Sequence, residues 1–249
     1  MTRRIPTFAL ALVPLVAFST GCQDFFDQLT QRSGIVDVFV TAHSTPDAEG
    51  KPASRNGQQL YFTNDMGWEV YIDEGFVTTA GVTLINCGGE ETDVEMYWGA
   101  QAENLADTAD ADVNGVGGVR ALSGDYCGLE VEYGPAEDSM NDAAMGATAF
   151  FTGSAVRGDE HIDFVWRSEV QVETEVDISK AELGQPFHIS ETQNFAKQLT
   201  VSKAFNHIFD GVDFGLDYSQ ADIDDLIADG LATGTVAFEG TDRPAPPAP

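Results

Sequence analysis

Apolar and polar residues alternate through much of the middle of the chain. Trp68, Val70 and Ile72 alternate with Glu69, Tyr71 and Asp73, which gives a strand one buried face and one wet face. The habit continues through FVTTAGVTLIN at 76–86, and Asn64-Asp65-Met66-Gly67 supplies a turn after QLYFT at 59–63. This stretch predicts a hairpin or meander of antiparallel strands. The β-branched run IVDVFVT at 35–41 predicts the first strand, and the Ser-, Pro- and Gly-rich 43–57 predicts a loop. Further strands are expected at CGLEVEY (127–133), GATAFFTGSAVR (146–157), HIDFVW (161–166), EVQVETEVDIS (169–179), FHIS (187–190) and FAKQLTVS (195–202). Arg157 to Glu160 reads as a hairpin turn. Val170, Val172 and Val176 alternate with Glu169, Glu173, Glu175 and Asp177, so one face of that strand is strongly negative. KAFNHIF at 203–209 predicts a short helix. Ser219 caps a second helix, 220–231, whose first turns carry Asp222, Asp224 and Asp225. A closing strand is expected at 233–239.

Two stretches break this pattern. The first is FALALVPLVAFSTGC at 8–22, preceded by Arg3 and Arg4. A basic start, a short apolar core and small residues at the exit form a secretory signal peptide, and the run is shorter than the ~20 apolar residues a membrane span needs. The second is 88–125, rich in Gly, Ala and Asp, where only Met96-Tyr97-Trp98 and Leu105 look like packing residues. It predicts a long loop excursion. The whole pattern predicts an all-β fold, an antiparallel β-sandwich with long loops and one or two short C-terminal helices. The expected divisions are a signal at 1–21, a tether at 22–34, one sandwich domain at 35–240 and a Pro-rich tail at 241–249. No repeat of fixed period and no second composition regime appears.

Charge and cysteines sharpen the picture. The chain has 41 acidic and 12 basic residues in 249, and its first 21 residues hold two of the basic ones and no acid. Without the leader the net charge is 10 − 41 = −31. Such a field repels nucleic acid and anionic headgroups and draws in cations. The three cysteines are Cys22, Cys87 and Cys127. In an oxidising compartment Cys87 and Cys127 pair, stapling the base of the excursion and contributing roughly 3–4 kcal/mol by the chain-entropy model.

Candidate chemistry is sparse. Asp110-Ala-Asp112-Val-Asn114-Gly115 matches the front half of a calcium loop, with alternate oxygen side chains on one side and a glycine at the sharp turn. The twelfth position is Ala121 instead of Glu, so this is no EF-hand. It stands as a looser cation loop with Asp110, Asp112 and Asn114 as ligands, or else as a solvated acidic loop. His43, His161, His188 and His207 are scattered without a paired spacing. Trp68, Trp98 and Trp166 are expected in or near the core, and Trp98, inside the excursion, is the candidate ligand-facing aromatic. No GxSxG, HExxH or phosphate-cradling loop is present, so the expectation is a binding protein and not an enzyme.

The end of the leader resembles a bacterial lipoprotein signal, although Ser19 stands where Leu is usual. The resemblance implies cleavage before Cys22, acylation of that residue and anchoring in a membrane. Gln23, in place of an Asp that retains some lipoproteins at the inner membrane, points to the outer one. LYFTNDMGWEVYIDEGFVTTAGVTLINC (60–87), SGDYCGLEVEYGP (123–135) and LTVSKAFNHIFDGVDF (199–214) resemble segments of deltaproteobacterial-type lipoproteins. More distantly they resemble the MbnP-like copper-binding envelope proteins, which are β-sandwiches. That group binds copper through His and a modified Trp, a ligand pattern that no run here reproduces. The resulting expectation is a lipid-anchored envelope binding protein, with copper or calcium as candidate ions. The alternative is a structural or protein–protein interaction lipoprotein without metal, its partner another envelope protein.

Overall fold

The computed structural model describes residues 33–45, 53–56, 59–105, 113–136, 142 and 144–241. The leader, Cys22 with nearly all of the expected tether, Asp110, Asp112 and residues 242–249 lie outside the described residues. The strands are β1 Ser33–His43, β2 Ser54–Asn56, β3 Gln59–Thr63, β4 Glu69–Asn86, β5 Glu91–Asp93, β6 Glu95–Met96, β7 Gln101–Asn104, β8 Asn114–Leu122 and β9 Gly124–Tyr133. They continue with β10 Ala149–Arg157, β11 Glu160–Ser168, β12 Val172–Asp177, β13 Phe187–Ile189 and β14 Lys197–Ala204. A 3-10 turn, Phe205–Phe209, and helix α1, Gln220–Gly234, precede β15, Thr235–Glu239.

Two sheets enclose one core. The smaller runs β15-β14-β1-β8-β6. The larger runs β11-β10-β4-β3-β2, with β9, β5 and β7 also on β4 and with β12 and β13 on β9. Val36, Val38 and Val40 on β1 and Leu199 and Val201 on β14 meet Leu84, Leu129, Val131 and Phe151 of the other sheet, all fully buried. The all-β sandwich expected from the alternation is present. It is not wholly antiparallel, because β1 and β14 pair in parallel over Val36–His43 and Lys197–Ala204. These strands lie some 160 residues apart, so no tight hairpin constrains their direction.

Three further expectations are corrected. The expected hairpin is present, since β3 pairs antiparallel with β4 across the turn at 64–67, but beyond it 69–86 runs on as one 18-residue strand, β4, instead of the separate strands expected. Its register shifts opposite Thr152/Gly153 and again between Thr79 and Gly81, so the strand bends where two would otherwise be needed. The stretch 88–125 is not a loop excursion, since it supplies β5, β6, β7 and β8 to both sheets. Glycine made β8 hard to see. Gly117 sits so close to its neighbour that a Cβ would meet the Glu95 carbonyl at 2.6 Å, so a residue of low strand propensity is here required by packing. Finally, the segment 203–209 is only partly helical: Lys203 and Ala204 end β14, and the turn that follows is 3-10.

The C-terminal helix is where the cap placed it. Ser219 Oγ accepts the Asp222 N–H at 3.3 Å and Asp222 accepts the Ser219 N–H at 2.9 Å, a capping box. A Cβ on Gly230 would lie 2.4 Å from Ile208 Cα, so α1 packs directly on the 3-10 turn. The parallel β1/β14 pair gives the sandwich two distinct ends. Ser33, Lys197 and, through antiparallel β8, Leu122 share the entry end; His43, Ala204 and the 3-10 turn share the far end.

Candidate functional site

A groove of about 340 Å³ opens beside β11. It is lined by Ile162–Trp166 on one side and Phe214–Tyr218 on the other, with Ile223 of α1 at its end. The local sequence explains it. β11 pairs only with β10 among the described residues, so it is an edge strand. Its inward residues Phe164 and Trp166 therefore face the 210–218 segment instead of another strand. Trp166 stacks on Phe214 (centroids 5.7 Å, 15°) and on Phe209 (5.2 Å, 19°), and meets Tyr218 edge-on at 6.2 Å. Phe164 lies 5.0 Å from Phe214. The rim residues Val165 and Leu216 are exposed.

The far wall is held by a polar latch. Asn64 Nδ2 donates to the carbonyls of Phe209 (3.1 Å) and Val212 (2.8 Å), while its Oδ1 accepts the N–H of Met66 (3.1 Å) and Trp68 (2.9 Å). Asp213 accepts Trp68 Nε1–H at 3.0 Å and the Gly215 N–H at 3.1 Å, and pairs with Arg157 at 3.1 Å. The Arg157 guanidinium lies 4.2 Å above the Trp68 ring. The Gly215 N–H bond holds the Asp213 carboxyl below its usual range; burial opposes this, and Trp68 and Arg157 add to it. The Asp213 N–H in turn donates to the Tyr218 hydroxyl at 2.9 Å. On the near side, Ser168 Oγ donates to Asp224 at 2.6 Å and Gln220 Nε2 to the Arg167 carbonyl at 2.7 Å, fixing α1 to the end of β11. The charged groups lining the groove are two carboxylates, Asp163 and Asp217; Arg157 is spent on Asp213, Glu160 and Trp68.

The sequence-predicted residues fall elsewhere. Cys87 and Cys127 form a disulfide with Cα atoms 4.8 Å apart, joining β9 to the end of β4. Asn114 opens β8 with an exposed side chain, while its partners Asp110 and Asp112 lie outside the described residues. The histidines do not converge. His43 Nδ1 pairs with Ser202 Oγ (2.8 Å), His161 with Asp163 (3.2 Å), His188 with Asp125 (2.7 Å) and His207 with Asp210 (2.6 Å). Among the described residues no three His, Cys, Asp or Glu side chains are placed to hold a metal ion. Trp98 is 83% exposed and does not line this groove, where Trp166 takes the role expected of it. The signal for the groove was the spacing Phe164-x-Trp166 on a strand followed late in the chain by DFGLDY at 213–218. Only the fold brings the two together.

A second unforeseen feature is a buried ion pair between the sheets. Lys203 Nζ on β14 donates to Glu103 Oε1 on β7, each side chain 2% exposed. Thr79 Oγ1 donates to the same oxygen at 3.3 Å. Glu103 Oε2 has no hydrogen-bond partner. Burial raises the Glu103 carboxyl above its usual range against the pull of Lys203.

No protein-family model matches the chain, and no curated protein matches it. Among solved structures the chain is similar to MbnP from Methylosinus trichosporium, at 11% identity over 84% of this chain and 99% of that one, with a TM-score of 0.39. Similarity at that level carries no argument about function.

Proposed function

We propose that this chain is a lipid-anchored binding protein of the cell envelope, not an enzyme, and that its groove takes a small organic cation. The observation that carries the reading is the chemistry of the groove: an aromatic floor of Phe164, Trp166, Phe214 and Tyr218 under a rim whose charges are Asp163 and Asp217. Ring faces attract alkylammonium and quaternary ammonium groups, by about 0.5–1 kcal/mol when exposed and about 2 when desolvated. The carboxylates add attraction for the same charge. A volume of about 340 Å³ falls within the range of small-molecule sites. The leader, the small residues before Cys22 and the Cys87–Cys127 disulfide support export; Gln23 favours the outer membrane.

The test is a titration of the purified full chain with choline and with its neutral isostere 3,3-dimethylbutanol, read by melting shift and tryptophan emission. Choline should bind at least several-fold tighter, and Asp163→Asn with Asp217→Asn should erase most of that difference. Equal binding of the two probes, or an unchanged preference in the double variant, ends the reading. A second reading, metal capture with copper or calcium at Asp110, Asp112 and Asn114, rests on the DxDxNG spacing of that loop. No melting shift with millimolar Ca²⁺ or Cu²⁺ removes it.

A further inference from the structure

We propose that the entry end of the sandwich is a membrane-contact surface whose partner is the lipid bilayer itself. This rests on the lipid-anchor reading of Cys22. Four apolar side chains stand out at that end. Leu183 is 100% exposed and Phe195 86% exposed, with Ile35 and Leu122 partly covered beside them. Topology brings them together from three separate stretches. Ile35 lies at the start of β1, Leu122 ends β8 opposite Ser33, and Phe195 precedes the Lys197 that pairs with Val36. Leu183 sits on a turn tied to the same place, where Glu182 pairs with Lys197 at 2.6 Å and accepts the His188 N–H at 2.9 Å. The 190–195 segment is pinned to β1 by Gln193 Nε2 donating to the Ile35 carbonyl at 2.6 Å.

Two independent features point to a ligand for this end. Leu183 has φ +49°, a left-handed conformation found among the described residues at no other non-glycine position. A bulky residue there is strained and a glycine would not be, so the fold holds an apolar side chain out into solvent where the backbone disfavours one. The second feature is the length of chain outside the structure. Cys22 and Ser33 are 33 − 22 = 11 residues apart. Such a link spans at most about 40 Å fully extended and about 18 Å as a flexible coil. As a coil, such a link keeps the entry end nearer to an acylated Cys22 than the far end, which lies about 23 Å further along β1.

Charge agrees. Arg120, Lys180 and Lys197 are at this end, and its acids are largely paired: Asp125 with His188, Glu182 and Glu239 with Lys197. Glu191 is there too, as is Glu90, which accepts from Asn86 Nδ2 at 2.7 Å beside Tyr126. From Val36 to His43 is seven residues of strand, about 23 Å, so the groove at the far end points away from the membrane.

The test uses the full lipidated chain in phosphatidylcholine/phosphatidylethanolamine vesicles, with Leu183→Trp, Phe195→Trp and, at the groove, Leu216→Trp. All three positions are exposed, so the fold is not disturbed. The emission added at 183 and at 195 should shift blue and fall at least two-fold with acyl-brominated lipid, and that added at 216 should not. Unquenched emission at 183 and 195 in a protein that stays with the vesicles through a carbonate wash overturns the surface while leaving the anchor intact. Quenching strongest at 216 overturns it by reversing the orientation. Recovery of the chain in the supernatant with Cys22 unmodified by intact mass overturns the anchor reading itself, and the proposal with it.

Discussion

Glu103 and Lys203 set a problem at the scale of single side chains. Both are buried between the sheets, and one carboxylate oxygen is unpartnered. Desolvating two charges costs several kcal/mol each, which their attraction offsets only with good geometry and full hydrogen bonding. Glu103→Gln and Lys203→Met should each destabilise the fold by about 3–5 kcal/mol in chemical denaturation, since each strands its partner. The double variant should lose far less than the sum; simple additivity would show that the pair is not coupled. The pH dependence has a definite sign. The folded state raises the Glu103 carboxyl above its ordinary 4.5, so its contribution is full below that pH and is lost as pH rises through the folded value. Asp213 has the opposite sign. Its carboxyl is held below the ordinary 3.8, so its contribution is present above that pH and is lost as pH falls through the lower folded value. Tryptophan emission from Trp68 should therefore change on acidification below about pH 3.8, and Asp213→Asn should show the changed emission already at neutral pH. Identical acid profiles for the two proteins would place the latch elsewhere.

Strands and their pairing decide what could be foreseen. Where one face is buried and the other wet, the alternation spoke plainly: in β12, Val172, Thr174 and Val176 are buried and Glu173, Glu175 and Asp177 exposed. The cap of α1 was equally legible, because Ser219 and Asp222 satisfy a local geometry that no distant residue can alter. β8 was not legible, because Gly117 is chosen by the backbone of β6 and not by strand propensity. The length of β4 was hidden too. Its residues 75–79 are buried on both faces, which erases alternation, and its bends depend on partners far along the chain. Gly153 on β10 tests that pairing, since a Cβ there would lie 1.9 Å from the Tyr71 carbonyl oxygen. Gly153→Ala should cost at least about 1–3 kcal/mol through displaced backbone, and an unchanged denaturation midpoint would refute the register. The disulfide belongs at this scale as well. Cys87 and Cys127 follow and flank the paired Asn86 and Tyr126, closing a loop of 40 residues that carries β5 to β8. Replacing both with Ser should cost roughly 3–4 kcal/mol in the chain-entropy view.

At the scale of the molecule, charge and shape act together. The chain carries 41 acids against 12 bases, a net −29, yet the groove itself is lined by only two carboxylates. Attraction of a cation to the groove therefore has a short-range part, from ring faces and the adjacent Asp163 and Asp217, and a long-range part from every other acid. The two respond differently to salt. The Debye length falls from about 30 Å at 0.01 M to about 3 Å at 1 M, so the field of distant acids is screened away while contact with a ring face is not. Choline affinity should fall steeply as salt rises from 0.01 M and then level off at a plateau set by the floor and rim. The affinity of 3,3-dimethylbutanol should stay flat throughout, since it carries no charge for the field to act on. In Asp163→Asn with Asp217→Asn the plateau should drop while most of the steep part survives, because almost all the acids remain. A plateau untouched by the double variant would mean that the cation is held by the diffuse field alone, and the groove would then have no part in choosing it.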